Sequence, residues 1–254
     1  MILITNDDGI VAPGIQALIE VASKFDEILV VAPDSPQSGK GHAVTLNQPL
    51  KLRKVDLFGD INAYECTGTP VDCVKIAKNV ILKDKKIDLC LSGINHGANS
   101  SVNIIYSGTM SAAMEASLEG VPSIGFSLLD FSFEADFEGA KMYAKKIIGQ
   151  ILNNPMDDCK LLNVNIPACP ADAIRGIKVC RQAEGIWDEA FQEGTDPRGD
   201  KYYWLTGKFL CREDAGKEDH DVWALENKYV SVVPSGHDLT HYNGIQKFKY
   251  LENF

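Results

Sequence analysis

The chain has 254 residues, 45% hydrophobic and 24% charged, enough for one large α/β domain whose core needs neither disulfides nor a structural metal to fold. Lys and Arg total 25 against 35 Asp and Glu, a formal charge of −10. That balance argues against a nucleic-acid polymer as partner but leaves room for a small phosphorylated substrate held locally.

The chain starts directly in a strand-like segment with no basic or apolar leader, and no run approaches the roughly 20 apolar residues of a membrane span. A cytoplasmic protein without a membrane partner is expected. In chain order, Ile2 to Thr5 reads as a first buried strand and Pro13, a residue favoured in a first helical turn, opens a helix to about Lys24. Glu27 to Ala32 reads as a second buried strand. Residues 43–66 (Ala43 to Leu46, Leu50 to Val55, Asn62 to Cys66) read as short antiparallel pieces inserted between parallel strands. A helix from Pro70 to about Leu82 follows, then a central strand from Ile87 to Leu91 that ends at Ser92-Gly93.

A small-residue helix from about Thr109 to Glu119, a strand from Ser123 to Ser127, a helical pattern over 135–152 and a strand from Leu161 to Ile166 complete the alternation. Short apolar runs alternating with helix-period segments predict a three-layer αβα, Rossmann-like, mostly parallel sheet with an antiparallel insertion. From about Arg181 the alternation fades, apart from a strand-like Tyr229 to Val233. The whole is read as a single domain, 1–180 forming the core and 181–254 a sheet edge and extended arm for packing against another subunit. The seven cysteines are scattered, form no C-x-x-C pair and sit partly in apolar runs, so they read as buried thiols of a reducing compartment.

Three polar loops follow predicted parallel strands, and in open α/β sheets ligands bind beyond the carboxyl ends of the strands. The first is Thr5-Asn6-Asp7-Asp8-Gly9. Alone it reads more readily as a solvated Asx turn, but its place after a buried parallel strand favours a site, where two adjacent carboxylates turned to one side by Gly9 repel unless a cation or shared proton separates them. The second, Asp34 to His42, carries Ser38, then Lys40 between two glycines, and lacks the spacing of a P-loop. The third, Ser92 to Asn99, brings Asn95 and Asn99, whose amide oxygens suit a hard cation. Close behind, Ser107-Gly108-Thr109 opens a helix, where a plain N-cap and an anion site are compatible readings. Carboxylates, a hydroxyl and an amide beside a helix N-terminus suit metal-assisted hydrolysis of a phosphate ester.

The blocks Ile2 to Leu18 (ILITNDDGIVAPGIQAL), Val31 to Gly41 (VAPDSPQSGKG), Thr67 to Cys73 (TGTPVDC), Ser92 to Asn99 (SGINHGAN) and Tyr106 to Glu115 (YSGTMSAAME) resemble the SurE family, the stationary-phase survival protein E nucleotidases. Asp196 to Gly199 with Tyr203-Trp204, and Tyr229 to Pro234, resemble its later blocks, so nearly the whole chain is covered. The resemblance implies a Rossmann-like core, a homodimer or homotetramer, and dephosphorylation of nucleoside 5′- and 3′-monophosphates, with short polyphosphate as a further substrate. It implies one divalent metal ion per subunit, Mg²⁺ or Mn²⁺, held by Asp7, Asp8, Ser38 and Asn95. Catalytic roles fall on Asp7 and Asp8, and phosphate contacts on Ser107, Gly108, Thr109 and Asn99. Pro234-Ser235-Gly236-His237 departs from the family's usual tail. His42 and His96, both in active-site loops, are candidates for a general acid. A non-enzymatic nucleotide-sensing module in the same cleft is the alternative, which the paired carboxylates disfavour because without a metal they repel phosphate.

Overall fold

The computed structural model describes all residues except 84, 133, 215 and 254. A nine-stranded sheet runs in the order β3-β4-β2-β1-β5-β6-β7-β11-β8. Its strands are β1 (Ile2–Thr5), β2 (Ile28–Pro33), β3 (Leu52–Val55), β4 (Asn62–Cys66), β5 (Leu89–His96), β6 (Ser123–Leu128), β7 (Leu161–Ile166), β8 (Gly176–Val179) and β11 (Tyr229–Ser235). From β4 to β7 all neighbours are parallel, whereas β3 runs against β4 and β11 against β7. A separate antiparallel ribbon pairs β9 (Gly185–Thr195) with β10 (Lys201–Cys211) residue for residue.

The central strands are apolar on both faces because helices cover both. Ile2 and Ile4 point to one side, where they meet α1 (Pro13–Ala22) and α4 (Glu138–Asn153) through Ile15, Leu18, Tyr143 and Ile147. Leu3 points to the other side, toward α2 (Pro70–Ile76) and α3 (Gly108–Leu118) through Cys73, Val74, Ala112 and Ala116. Helix α2 starts at a reciprocal cap: Thr69 Oγ1 accepts from Asp72 N–H at 3.1 Å, and Asp72 Oδ2 accepts from Thr69 N–H at 2.9 Å. It continues as a wider π-type turn, Ala77–Leu82. Two short helices, α5 (Asp221–Glu226) and α6 (Tyr242–Lys247), flank β11 in sequence. No helix among the described residues is long and apolar enough to cross a membrane. All seven cysteines are free thiols, with Cys66, Cys73, Cys90 and Cys180 buried.

The structure departs from the sequence reading in three places. Residues 43–46 form no strand, because Ala43 O accepts from Thr69 Oγ1 and Thr45 N–H donates to Asp72, which uses the groups a ladder would need. The antiparallel insertion is thus confined to β3 on β4, and β4 itself joins the parallel set. Strand β5 does not stop at Leu91 but runs on to His96, with a register shift between Ser92 and Asn95 that re-aims its end. Residues 185–211, which showed no alternation, form the ribbon; both its faces are largely exposed, so there is no inside and outside to pattern.

Candidate functional site

The strand order reverses direction about β1, which has β2 on one side and β5 on the other, and the two strand ends meet there with Thr5 paired to Ser92. The turn after β1 closes at Gly9 (φ +97°), with Asn6 Nδ2 donating to Gly9 O at 2.8 Å. It leaves Asp7 buried at 4% exposure and Asp8 half-buried. The N-terminus of α3 abuts Asp7. Thr109, itself fully buried, donates its hydroxyl to Asp7 Oδ1. A Cβ on Gly108 would come within 2.8 Å of Asp7 Cβ and 2.9 Å of Oδ2, so only glycine permits this approach. Asp8 Oδ2 accepts from His96 N–H at 3.3 Å.

Burial, then the charge of Asp8, push the Asp7 carboxyl up from 3.8 to about 6, against the opposing pull of the Thr109 bonds. Burial also raises Asp8. The two neighbouring carboxylates therefore resist being ionised together.

A cavity of about 680 Å³ opens at this point, a size that suits a nucleotide-sized ligand. Asp7, Ser38, Asn95, Asn99 and Ser107 line its floor, so the structure brings five of the eight expected site residues to one surface. Gly108 and Thr109 stand behind that surface against Asp7, and half-buried Asp8 lies next to Asp7 against the end of β5. The Ser107 hydroxyl accepts from Met110 N–H at 3.0 Å and caps α3, while Thr109 spends its hydroxyl on Asp7. Of the two candidate histidines, His96 borders the cavity, its Nδ1 donating to Ser132 O at 2.9 Å. His42 bonds Glu115 at 2.9 Å instead.

Several contributors were not foreseen. Asn99 is fixed by a buried net: its N–H donates to Asn165 Oδ1 at 2.7 Å, its Nδ2 to Ser127 Oγ at 2.8 Å, and Asn163 Nδ2 donates to Asn99 O at 2.8 Å. The sequence carried a signal here, since two Asn at i and i+2 in the apolar strand Leu161–Ile166 must find partners. The aromatic wall carried none. Trp187 of β9 and Phe209 of β10 stack edge to face at 6.1 Å and close one side of the cavity, with Phe131 and Tyr106 nearby. Trp187 Nε1 donates to Asn103 Oδ1 at 2.8 Å, which ties the ribbon to the floor.

The donor set fits a hard divalent cation. Asp7, Asp8, Ser38 and Asn95 offer only oxygens apart from the Asn95 amide nitrogen, and Asn95 Nδ2 is committed to Gly97 O at 2.8 Å, leaving its oxygen available. Among the described residues no group of three or more His, Cys, Asp or Glu gathers to hold a metal ion. Among the described residues the cavity lining holds no Lys or Arg to balance Asp7.

Fold and site together define an αβα protein with an oxygen-donor cavity at the switch point of its sheet. The family model for survival protein SurE matches residues 2–189. Similar proteins include the 5′-nucleotidase SurE of Flavobacterium johnsoniae, 56% identical over 97% of this chain and 95% of that one, and that of Flavobacterium psychrophilum, 54% identical over the same shares. The crystal structure of the SurE protein from Aquifex aeolicus superposes with a TM-score of 0.85 at 42% identity, covering 99% of both chains. The chain belongs to the SurE family.

Proposed function

We propose that the protein is a divalent-metal-dependent 5′-nucleotidase that hydrolyses nucleoside 5′-monophosphates to nucleoside and phosphate. The observation that carries this reading is the cavity itself: the buried carboxyl of Asp7, next to half-buried Asp8, and the oxygen donors Ser38 and Asn95 share it with Trp187 and Phe209, with no Lys or Arg among the described lining residues. A phosphate would be repelled by Asp7 unless a cation stood between them. Relatives named 5′-nucleotidase SurE at 54% and 56% identity support the same activity.

Asp7, Asp8, Ser38 and Asn95 would hold one Mg²⁺ or Mn²⁺. When bound, that ion supplies charge stabilisation for the phosphoryl oxygens and acidifies water. The protein's own groups do the rest. Thr109 and the start of α3 fix Asp7 in one rotamer. Ser107 and the first amides of α3 orient the phosphate, aided by the helix dipole. Asn99, locked by its net, borders the substrate. Asp8 accepts the proton of the attacking water, since Asp7 is already engaged by Thr109 whereas Asp8 makes only a 3.3 Å contact. His96 borders the cavity with its Nδ1 bonded to Ser132 O, and His42 is bonded to Glu115. Trp187 and Phe209 offer faces on which a nucleobase stacks.

The reading extends to nucleoside 3′-monophosphates and short polyphosphate, because the groups that touch the phosphoryl moiety do not read which ester carries it. The exposed apolar side chains of the ribbon and tail, such as Phe191, Trp204 and Tyr242, suit a homodimer or homotetramer. The test is phosphate release from a panel of 5′- and 3′-monophosphates with Mg²⁺ or Mn²⁺. Release from 5′-monophosphates is expected, and its absence with either metal would overturn the reading.

A further inference from the structure

Ser38 is the one expected metal ligand on an exposed loop rather than on a strand end. Residues 34–51 form no regular element; Gly39 follows Ser38 directly and Gly41 stands two residues further on, both with positive φ. Such a segment reaches a fixed point only if it is tied on both sides. On the near side, Gln37 N–H donates to Asp7 O at 2.7 Å. On the far side, Gly41 N–H donates to Tyr106 O at 3.2 Å, and His42 Nε2 contacts Glu115 Oε2 at 2.9 Å.

Glu115 is an unusual anchor. It lies on α3 with only 4% of its surface exposed, and it also holds Lys75 of α2. Burial works to raise its carboxyl, but the bonds from Lys75 and His42 outweigh this and hold it below the usual range. Six residues earlier on the same helix, roughly 9 Å away, Thr109 holds Asp7. Helix α3 is thus a strut: one end fixes a carboxylate of the site and its middle fixes the loop that brings Ser38 to it.

We infer that His42 and Glu115 are a positioning pair, which sets the distance between Ser38 and Asp7 and thereby tunes metal affinity. The pair touches neither substrate nor metal. The inference rests on the proposed role of Ser38 in the metal site.

The test is calorimetric titration of Mn²⁺ into metal-free protein, comparing wild type with His42→Ala, His42→Gln, Ser38→Ala and the Ser38→Ala/His42→Ala double variant. His42→Ala should weaken Mn²⁺ binding about tenfold, in line with lost support for a ligand. His42→Gln, whose amide can still donate to Glu115, should recover most of that loss. In the Ser38→Ala background, His42→Ala should add less than about twofold, because it acts through the missing hydroxyl. Affinity of His42→Ala within about twofold of wild type, or a loss that adds in full to that of Ser38→Ala, overturns the inference. If Ser38→Ala itself binds Mn²⁺ as wild type does, Ser38 is no ligand and the inference falls with that assignment. Phosphate release by the wild type would still stand in that case, so failure of the pair and failure of the nucleotidase reading are told apart.

Discussion

The end of the parallel sheet and the β9–β10 ribbon face each other across one cavity, yet they are built in opposite ways. Ile2, Leu3 and Ile4 of β1 are fully buried, and Asp7 beyond them is held by Thr109 and crowded by Gly108. In the ribbon, Phe191 and Trp204 are 66% and 65% exposed, and attachment comes from a few points near its base. There Asp221 accepts from Ser101 N–H at 2.7 Å and Ala183 N–H at 2.9 Å, and Trp187 reaches Asn103. Under the proposed function, chemistry that depends on a fixed charge arrangement would sit where packing over-determines position, and contact with the variable body of a substrate on an element that can yield.

That contrast predicts different kinds of damage on the two sides. Asp8→Asn should leave folding intact but slow phosphate release on the order of a thousandfold, the equivalent of several kcal/mol of lost charge stabilisation and proton acceptance. An initial-rate assay at saturating Mn²⁺ measures it, and near-normal turnover would show that the sheet end is not the reacting side. Asp221→Ala should instead act on stability, about 3 kcal/mol, because buried backbone N–H groups lose their acceptor. Thermal denaturation should show a clear fall in Tm, and an unchanged Tm would mean that the ribbon is anchored elsewhere.

Trp187→Ala should raise KM for nucleoside monophosphates about tenfold with little change in kcat, the value of one base–aromatic stack. A fall in kcat at constant KM would place Trp187 in the chemistry and erase the contrast. The last prediction concerns pH. Because the folded-state pKa of Asp7 is raised to about 6, its protonated form contributes stability to the metal-free protein that is complete below about 3.8 and is lost as pH rises through about 6. A cation must displace that proton, so Mn²⁺ affinity should fall by up to about tenfold per unit below pH 6. Titrations at pH 5, 6 and 7 check this, and affinity independent of pH would argue against Asp7 as a ligand.

The parallel core was legible because strands such as ILIT and ILVVAP are apolar on both faces and alternate with helix-period segments. The floor of the site was legible for a related reason, since polar residues placed directly after buried strands converge at the sheet's end. What lay out of reach depended on tertiary contacts. Nothing local marks Thr109 as the partner of Asp7, a residue 102 positions away. The run Ala43 to Leu46 has strand-like composition, but its backbone groups go to the α2 cap. The ribbon, exposed on both faces, leaves no periodicity to read.

A cation held at Asp7 and Asp8 is central to the proposed chemistry, and one experiment reaches it directly. Protein stripped with a chelator should release no phosphate from a nucleoside 5′-monophosphate and regain activity saturably as Mn²⁺ is added, while Asp7→Asn, still folded, should regain none over the same range. Turnover that survives chelation, or an Asp7→Asn variant restored at the same Mn²⁺ concentration as wild type, would contradict it.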